Sequence, residues 1–130
     1  FGKRYGTSKA EVAAKRALGQ DVILEIDWQG AQQVCEAIPD AISVFVLPPS
    51  VEELAARLTS RGEDTAQSIE KRLGEAKLDM SQAIHFDYLV INADFETALQ
   101  DFASIVHAAR LSRDVQLEKN EVKELVGADI

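Results

Sequence analysis

Two carboxylates and three arginines carry the chemistry this sequence offers. Glu25 and Asp27 alternate along the otherwise apolar run Val22-Ile23-Leu24-Glu25-Ile26-Asp27. A carboxylate in such a run is costly to bury unless a partner compensates it. One reading is a helix cap or a salt-bridged pair. The other is a strand-end acid that orients magnesium, or that accepts hydrogen bonds from a base with N–H donors. Spacing alone leaves both standing. Arg57 and Arg61 are i, i+4 neighbours on a helical face opposite Leu54 and Leu58, and Arg72 lies beside Leu73 on the next helix. Between them, Gly62-Glu63-Asp64-Thr65-Ala66-Gln67-Ser68 is polar and broken by glycine, the composition of a mobile flap. Arginines delivered by a closing flap neutralise charge on a transferring phosphoryl group, an effect of about 10³–10⁵ in rate. The ordinary alternative is a solvated charged face. His85, His107 and Cys35 stand at no metal-ligand spacing and read as packing or surface residues, and Trp28 reads as packing beside Asp27.

The elements that would position these groups alternate between helix and strand. Ser8-Lys9-Ala10-Glu11 has the spacing of a capping box and predicts a helix over 8–18, closed by Gly19. Residues 22–27 then read as a strand buried on both faces, 30–37 as a short helix ended by Pro39, and 41–47 as a second buried strand stopped by Pro48-Pro49. Ser50-Val51-Glu52-Glu53 is another capping box, with Val51, Leu54, Ala55 and Leu58 forming an amphipathic stripe. Ile69, Leu73, Ala76 and Met80 mark a further helix and 87–92 a third strand. Asp94 caps a helix whose apolar face is Ala98, Leu99, Phe102, Ile105, Val106 and Ala109. From Ser112 the pattern weakens, with Val122, Leu125 and Val126 continuing a loosely docked helix. This alternation implies right-handed crossovers, a parallel sheet and a three-layer α/β/α architecture. Ligands gather at the carboxyl ends of the strands in such sheets, which directs attention to Asp27, the loop after Leu47, and Asn92.

Composition excludes several classes of function. The chain has 130 residues, 46% of them hydrophobic, which suffices for the core of one domain. A net charge of −8 disfavours binding to a nucleic-acid backbone. A single cysteine precludes an intramolecular disulfide and points to a reducing cytosol. The longest apolar run, 42–47 with Ser43 inside it, is far short of a membrane span, and no charged-then-apolar leader opens the chain, so a soluble, unexported, cytoplasmic protein is expected. The chain starts at Phe1 in loop-like sequence and is expected to be a fragment of a longer protein.

Five blocks in order and spacing resemble the guanylate kinase family. They are Tyr5-Gly6-Thr7-Ser8; Ile23-Leu24-Glu25-Ile26-Asp27-Trp28-Gln29-Gly30-Ala31-Gln32-Gln33; Leu47-Pro48-Pro49-Ser50; Arg61-Gly62-Glu63-Asp64 with Lys71-Arg72-Leu73; and Asp87-Tyr88-Leu89-Val90-Ile91-Asn92. The Asp-Trp-Gln-Gly-Ala-Gln stretch is similar to the bacterial branch. The resemblance implies a P-loop nucleoside monophosphate kinase fold, present in part, over 1–130 with a lid segment at about 57–75. It implies transfer of a phosphoryl group from ATP to GMP in purine nucleotide metabolism, with Mg²⁺, ATP as co-substrate and no nucleic-acid or membrane partner.

The family's roles fall on this chain residue by residue. Tyr5 matches a tyrosine that hydrogen-bonds the GMP phosphate, and Thr7 a residue that contacts guanine. Glu25 and Asp27 match an acidic pair at the nucleotide site, with Asp27 as the metal-facing member. The family pair is usually two aspartates, so Glu25 departs from it by one methylene. Arg61 and Arg72 match the catalytic lid arginines, and Arg57 and Asn92 match positions near the adenine of ATP. No strand followed by a Gly-rich loop ending in Gly-Lys-Ser/Thr occurs in these 130 residues. Most of the GMP-binding β region has no counterpart either. The chain alone is therefore expected to be inactive and to self-associate or borrow a strand. The rival expectation is a guanylate-kinase-like module that has lost catalysis and binds phosphopeptides; retention of Arg61 and Arg72 argues against it.

Overall fold

The computed structural model describes residues 9–59 and 65–127. Helix α1 (Lys9–Ala17) leads into Gly19, whose φ of +76° lies in the left-handed region that ends helices, with its N–H donating to the Arg16 carbonyl at 2.9 Å. Residues 20–27 follow without regular structure, then α2 (Trp28–Ala37), β1 (Val44–Leu47), α3 (Val51–Thr59), α4 (Ala66–Met80), a 3₁₀ turn (Ser81–His85), β2 (Tyr88–Ile91), α5 (Phe95–Arg110), α6 (Arg113–Gln116) and α7 (Asn120–Val126).

The architecture is α/β with a parallel sheet. Strands β1 and β2 pair in parallel, Val44 opposite Tyr88 and Leu47 opposite Ile91, with α3 and α4 forming the crossover between them. A side-chain clamp sets this register. The Asp87 carboxylate accepts from the Ser43 N–H at 2.9 Å and hydroxyl at 3.2 Å, while the Asp87 N–H donates to Ser43 Oγ at 3.0 Å. Phe45 and Phe86 meet edge to face beside it, centroids 5.0 Å apart. Side chains also start the helices where the sequence predicts. Ser50 Oγ accepts from the Glu53 N–H at 3.0 Å, and Asp94 Oδ2 from the Thr97 N–H at 3.1 Å. Thr65 caps α4, so Ala66-Gln67-Ser68, expected as flap, is the first turn of that helix. Residues 60–64 lie outside the described residues, as does Ser8, the first residue of the capping box expected at α1.

One predicted element differs. Residues 22–27 do not form a strand, and the sheet among the described residues has two strands. Strand propensity is realised only against a neighbour that completes the ladder. Here β2 occupies one edge of β1, and a cleft of about 350 Å³ lies between 20–26 and 41–44. Val12 of α1, Val34 of α2 with its C-cap Ile38, and Phe102 and Val106 of α5 contribute to its apolar lining. Exposure alternates along 22–26: Val22, Leu24 and Ile26 are half-buried and Ile23 and Glu25 exposed, and of the five only Glu25 does not line the cleft. The strands are likewise not buried on both faces, since Val46, Leu89 and Ile91 are exposed while Val90 retains only 3% of its surface. Val90, Ala98, Ala83 and Val12 are the buried apolar residues among the described residues, and α5, which carries Ala98, packs against β2, which carries Val90.

Candidate functional site

Asp27 ends the extended segment and begins α2. Its Oδ1 accepts the Gly30 N–H at 2.7 Å, its φ of −75° and ψ of 173° are those of an N-cap, and its carbonyl accepts the Ala31 N–H at 2.9 Å. A carboxylate is favoured at this end of a helix, where unpaired amides carry partial positive charge. The cap reading is thus realised for Asp27. Gly30, three residues on, is buried in the first turn of α2. Glu25 lies two residues earlier and is exposed, so the burial penalty that made this pair conspicuous does not arise for it.

Arg57 and Arg72 sit on the crossover. Arg57 is on α3, where its Nε lies 3.8 Å from Glu53 Oε1, an exposed i, i+4 pair of small energetic weight. Arg72 is half-buried on α4, and α3 packs on α4. Asn92 follows β2 and extends the ladder, its N–H donating to the Leu47 carbonyl at 2.7 Å. Asn92 and the Leu47-Pro48-Pro49 turn therefore share the carboxyl end of the sheet. Tyr5, Thr7 and Arg61 lie outside the described residues. His85 and His107 are exposed, and Cys35 is half-buried on α2.

Two long-range pairs escaped the sequence reading. The Trp28 indole N–H donates to Asp79 Oδ1 at 3.1 Å, joining the first residue of α2 to the last turn of α4 across 51 residues. Asp21 Oδ2 takes both the Nε and the Nη2 of Arg110 at 2.6 Å, tying the segment before Glu25 to the end of α5. Asp79 follows Arg72 by seven residues and so shares its helical face, but that spacing does not point to Trp28 as its partner.

For magnesium, the donor chemistry is the test. Among the described residues no group of three or more His, Cys, Asp or Glu is placed to hold an ion. Magnesium is commonly held by one or two carboxylates together with substrate phosphates, and a single helix-capping acid such as Asp27 fits that mode and not a protein cage. No helix among the described residues is long and apolar enough to cross a membrane.

Comparison with known proteins bears on this arrangement. A family model described as guanylate kinase matches residues 1–109. The chain is 53% identical to the guanylate kinase of Hydrogenovibrio crunogenus over 122 residues, 94% of this chain and 60% of that protein. It is 49% identical to the guanylate kinase of Alkalilimnicola ehrlichii over 129 residues, 98% of this chain and 64% of that protein. The chain thus spans about three fifths of the length of these relatives. The crystal structure of guanylate kinase from Anaplasma phagocytophilum matches with a TM-score of 0.63, covering 95% of this chain and 77% of that one at 23% identity, a likeness of fold.

Proposed function

The chain belongs to the guanylate kinase family, and from that premise we propose that the protein containing it transfers the terminal phosphoryl group of ATP to GMP, giving ADP and GDP. The observation that supports this reading is that the matched region, residues 1–109, contains all eight candidate site residues, Tyr5, Thr7, Glu25, Asp27, Arg57, Arg61, Arg72 and Asn92. Tyr5 donates a hydrogen bond to the GMP phosphate. Thr7 and the acids Glu25 and Asp27 read the N–H donors of guanine. Arg57 and Asn92 lie toward the adenine of ATP.

Arg61 and Arg72 stabilise the charge that develops on the phosphoryl oxygens, which planar guanidinium groups bind two at a time. Transfer is direct and in line, with no covalent enzyme intermediate. The segment at about 57–75 closes as a lid over the nucleotides and keeps water from the reacting phosphate. Bound magnesium supplies charge neutralisation on the ATP phosphates, and Asp27 is the residue of this chain that would face it. The reading places the protein in the cytoplasm, in purine nucleotide metabolism, with small nucleotides as its partners. Residues 1–130 alone hold no Gly-Lys-Ser/Thr loop for the ATP phosphates and do not carry the reaction by themselves. Coupled assay of the full-length protein with GMP, AMP, CMP and UMP tests the proposal. Diphosphate formation with GMP above the others supports it, and phosphopeptide binding without turnover replaces it with the binding-module reading.

A further inference from the structure

Asp79 occupies an unfavourable place on its helix. It lies in the last turn of α4, where unpaired carbonyls carry partial negative charge and a carboxylate is disfavoured. The Trp28 indole N–H offsets this. Indole is a donor only, the carboxylate an acceptor, and 3.1 Å is ordinary hydrogen-bond geometry. The bond joins the two parts of the molecule that bear candidate chemistry. Trp28 is the first residue of α2 and follows the cap Asp27, while Asp79 is seven residues beyond Arg72. Seven residues fall about 20° short of two full turns, so Arg72 and Asp79 share a face of α4, separated by about 10.5 Å along its axis.

We propose that the Trp28–Asp79 hydrogen bond is a positioning strut, holding the α4 face that carries Arg72 against the start of α2, where Asp27 lies, and so supporting the rate of phosphoryl transfer. This rests on the phosphoryl-transfer reading above. Trp28 and Asp79 do not touch the reacting atoms. They act through the placement of Arg72, so turnover responds to them while affinity for the nucleotide monophosphate does not. Trp28 is also the single tryptophan of these 130 residues, so the difference in quenching between the two Asp79 variants reports on the bond.

The test uses the full-length protein with Asp79→Ala, Asp79→Asn and Trp28→Phe. Each variant is assayed for kcat and for KM of GMP well below its unfolding temperature, with Trp28 quenching by acrylamide followed in the first two. Loss of one solvent-accessible hydrogen bond predicts a fall in kcat of about two- to tenfold for Asp79→Ala, with KM for GMP unchanged. Asp79→Asn keeps an acceptor oxygen and recovers most of the turnover, whereas Trp28→Phe keeps a ring, loses the donor and matches Asp79→Ala. Acrylamide reaches Trp28 more readily in Asp79→Ala than in Asp79→Asn. An unchanged kcat in Asp79→Ala overturns the strut. So does a loss that Asn fails to rescue, or one that appears as raised KM. If Asp79→Ala does not fold, Trp28→Phe decides by the same criteria. A wild-type protein that forms no GDP overturns the phosphoryl-transfer reading, and the strut's catalytic role with it, a failure visible before any variant is made.

Discussion

Gly74 and Gly19 offer the same substitution, glycine to alanine, in two backbone conformations, and the responses should have opposite signs. Gly74 lies inside the 15-residue helix α4, is exposed, and an added Cβ there meets nothing within 4 Å. Glycine in a helix interior is about 0.5–1 kcal/mol less favourable than alanine, so Gly74→Ala stabilises by about that amount. An added Cβ at Gly19 also meets nothing within 4 Å, but φ is +76°. The left-handed conformation costs an L-residue about 1–2 kcal/mol. Reduced freedom of the unfolded chain returns about 0.4–1 kcal/mol. Gly19→Ala therefore loses about 0.5–1 kcal/mol. The two variants should differ by about 1–2 kcal/mol, or about 3–6 °C in Tm for a protein of 150–250 residues. Urea titration of the full-length protein, with the slope unchanged between variants, measures this directly. Equal effects at the two positions, or destabilisation by Gly74→Ala, would refute the argument from backbone conformation.

Three further outcomes are expected. In the full-length protein Arg72→Ala lowers kcat by about 10³ while GMP affinity changes little, and an unchanged kcat removes Arg72 from catalysis. Tyr5→Phe raises KM for GMP, since a hydrogen bond to a charged phosphate contributes about 1.5–3 kcal/mol; an unaltered KM places Tyr5 outside the site. The 130-residue chain expressed alone forms no GDP and elutes from size-exclusion chromatography as self-associated species, because the cleft beside β1 leaves an apolar, strand-accepting face open. A clean monomer with turnover contradicts that.

Local chemistry was legible in the sequence and distant pairing was not. Ser50 and Asp94 each satisfy a free amide three residues on, a bond defined within one turn of chain. The parallel pairing of β1 with β2 followed from the intervening helices, because a parallel crossover needs their length. Residues 22–27 have the composition of a buried strand, yet a ladder is a property of two segments, and no second one borders them among the described residues. Strand composition likewise overstated burial at Val46, Leu89 and Ile91, which face solvent on a two-stranded sheet. At the candidate site, a cap at Asp27 was one of two readings the sequence left open, and it is a local bond because the accepting carboxylate and the Gly30 amide lie within one turn. The bonds Trp28–Asp79 and Asp21–Arg110 span 51 and 89 residues, and no periodicity in one sequence encodes such partners.

The central claim is that this chain is part of an enzyme that moves a phosphoryl group from ATP to GMP. Its most direct test follows the phosphorus atom. The full-length protein is incubated with magnesium, GMP and ATP labelled at the γ-phosphate, and the nucleotides are separated. The account predicts label appearing in GDP, with ADP formed in equal amount, and a loss of that label transfer in Arg72→Ala. Label released only as inorganic phosphate, or retained in ATP while GMP binds unchanged, would contradict it.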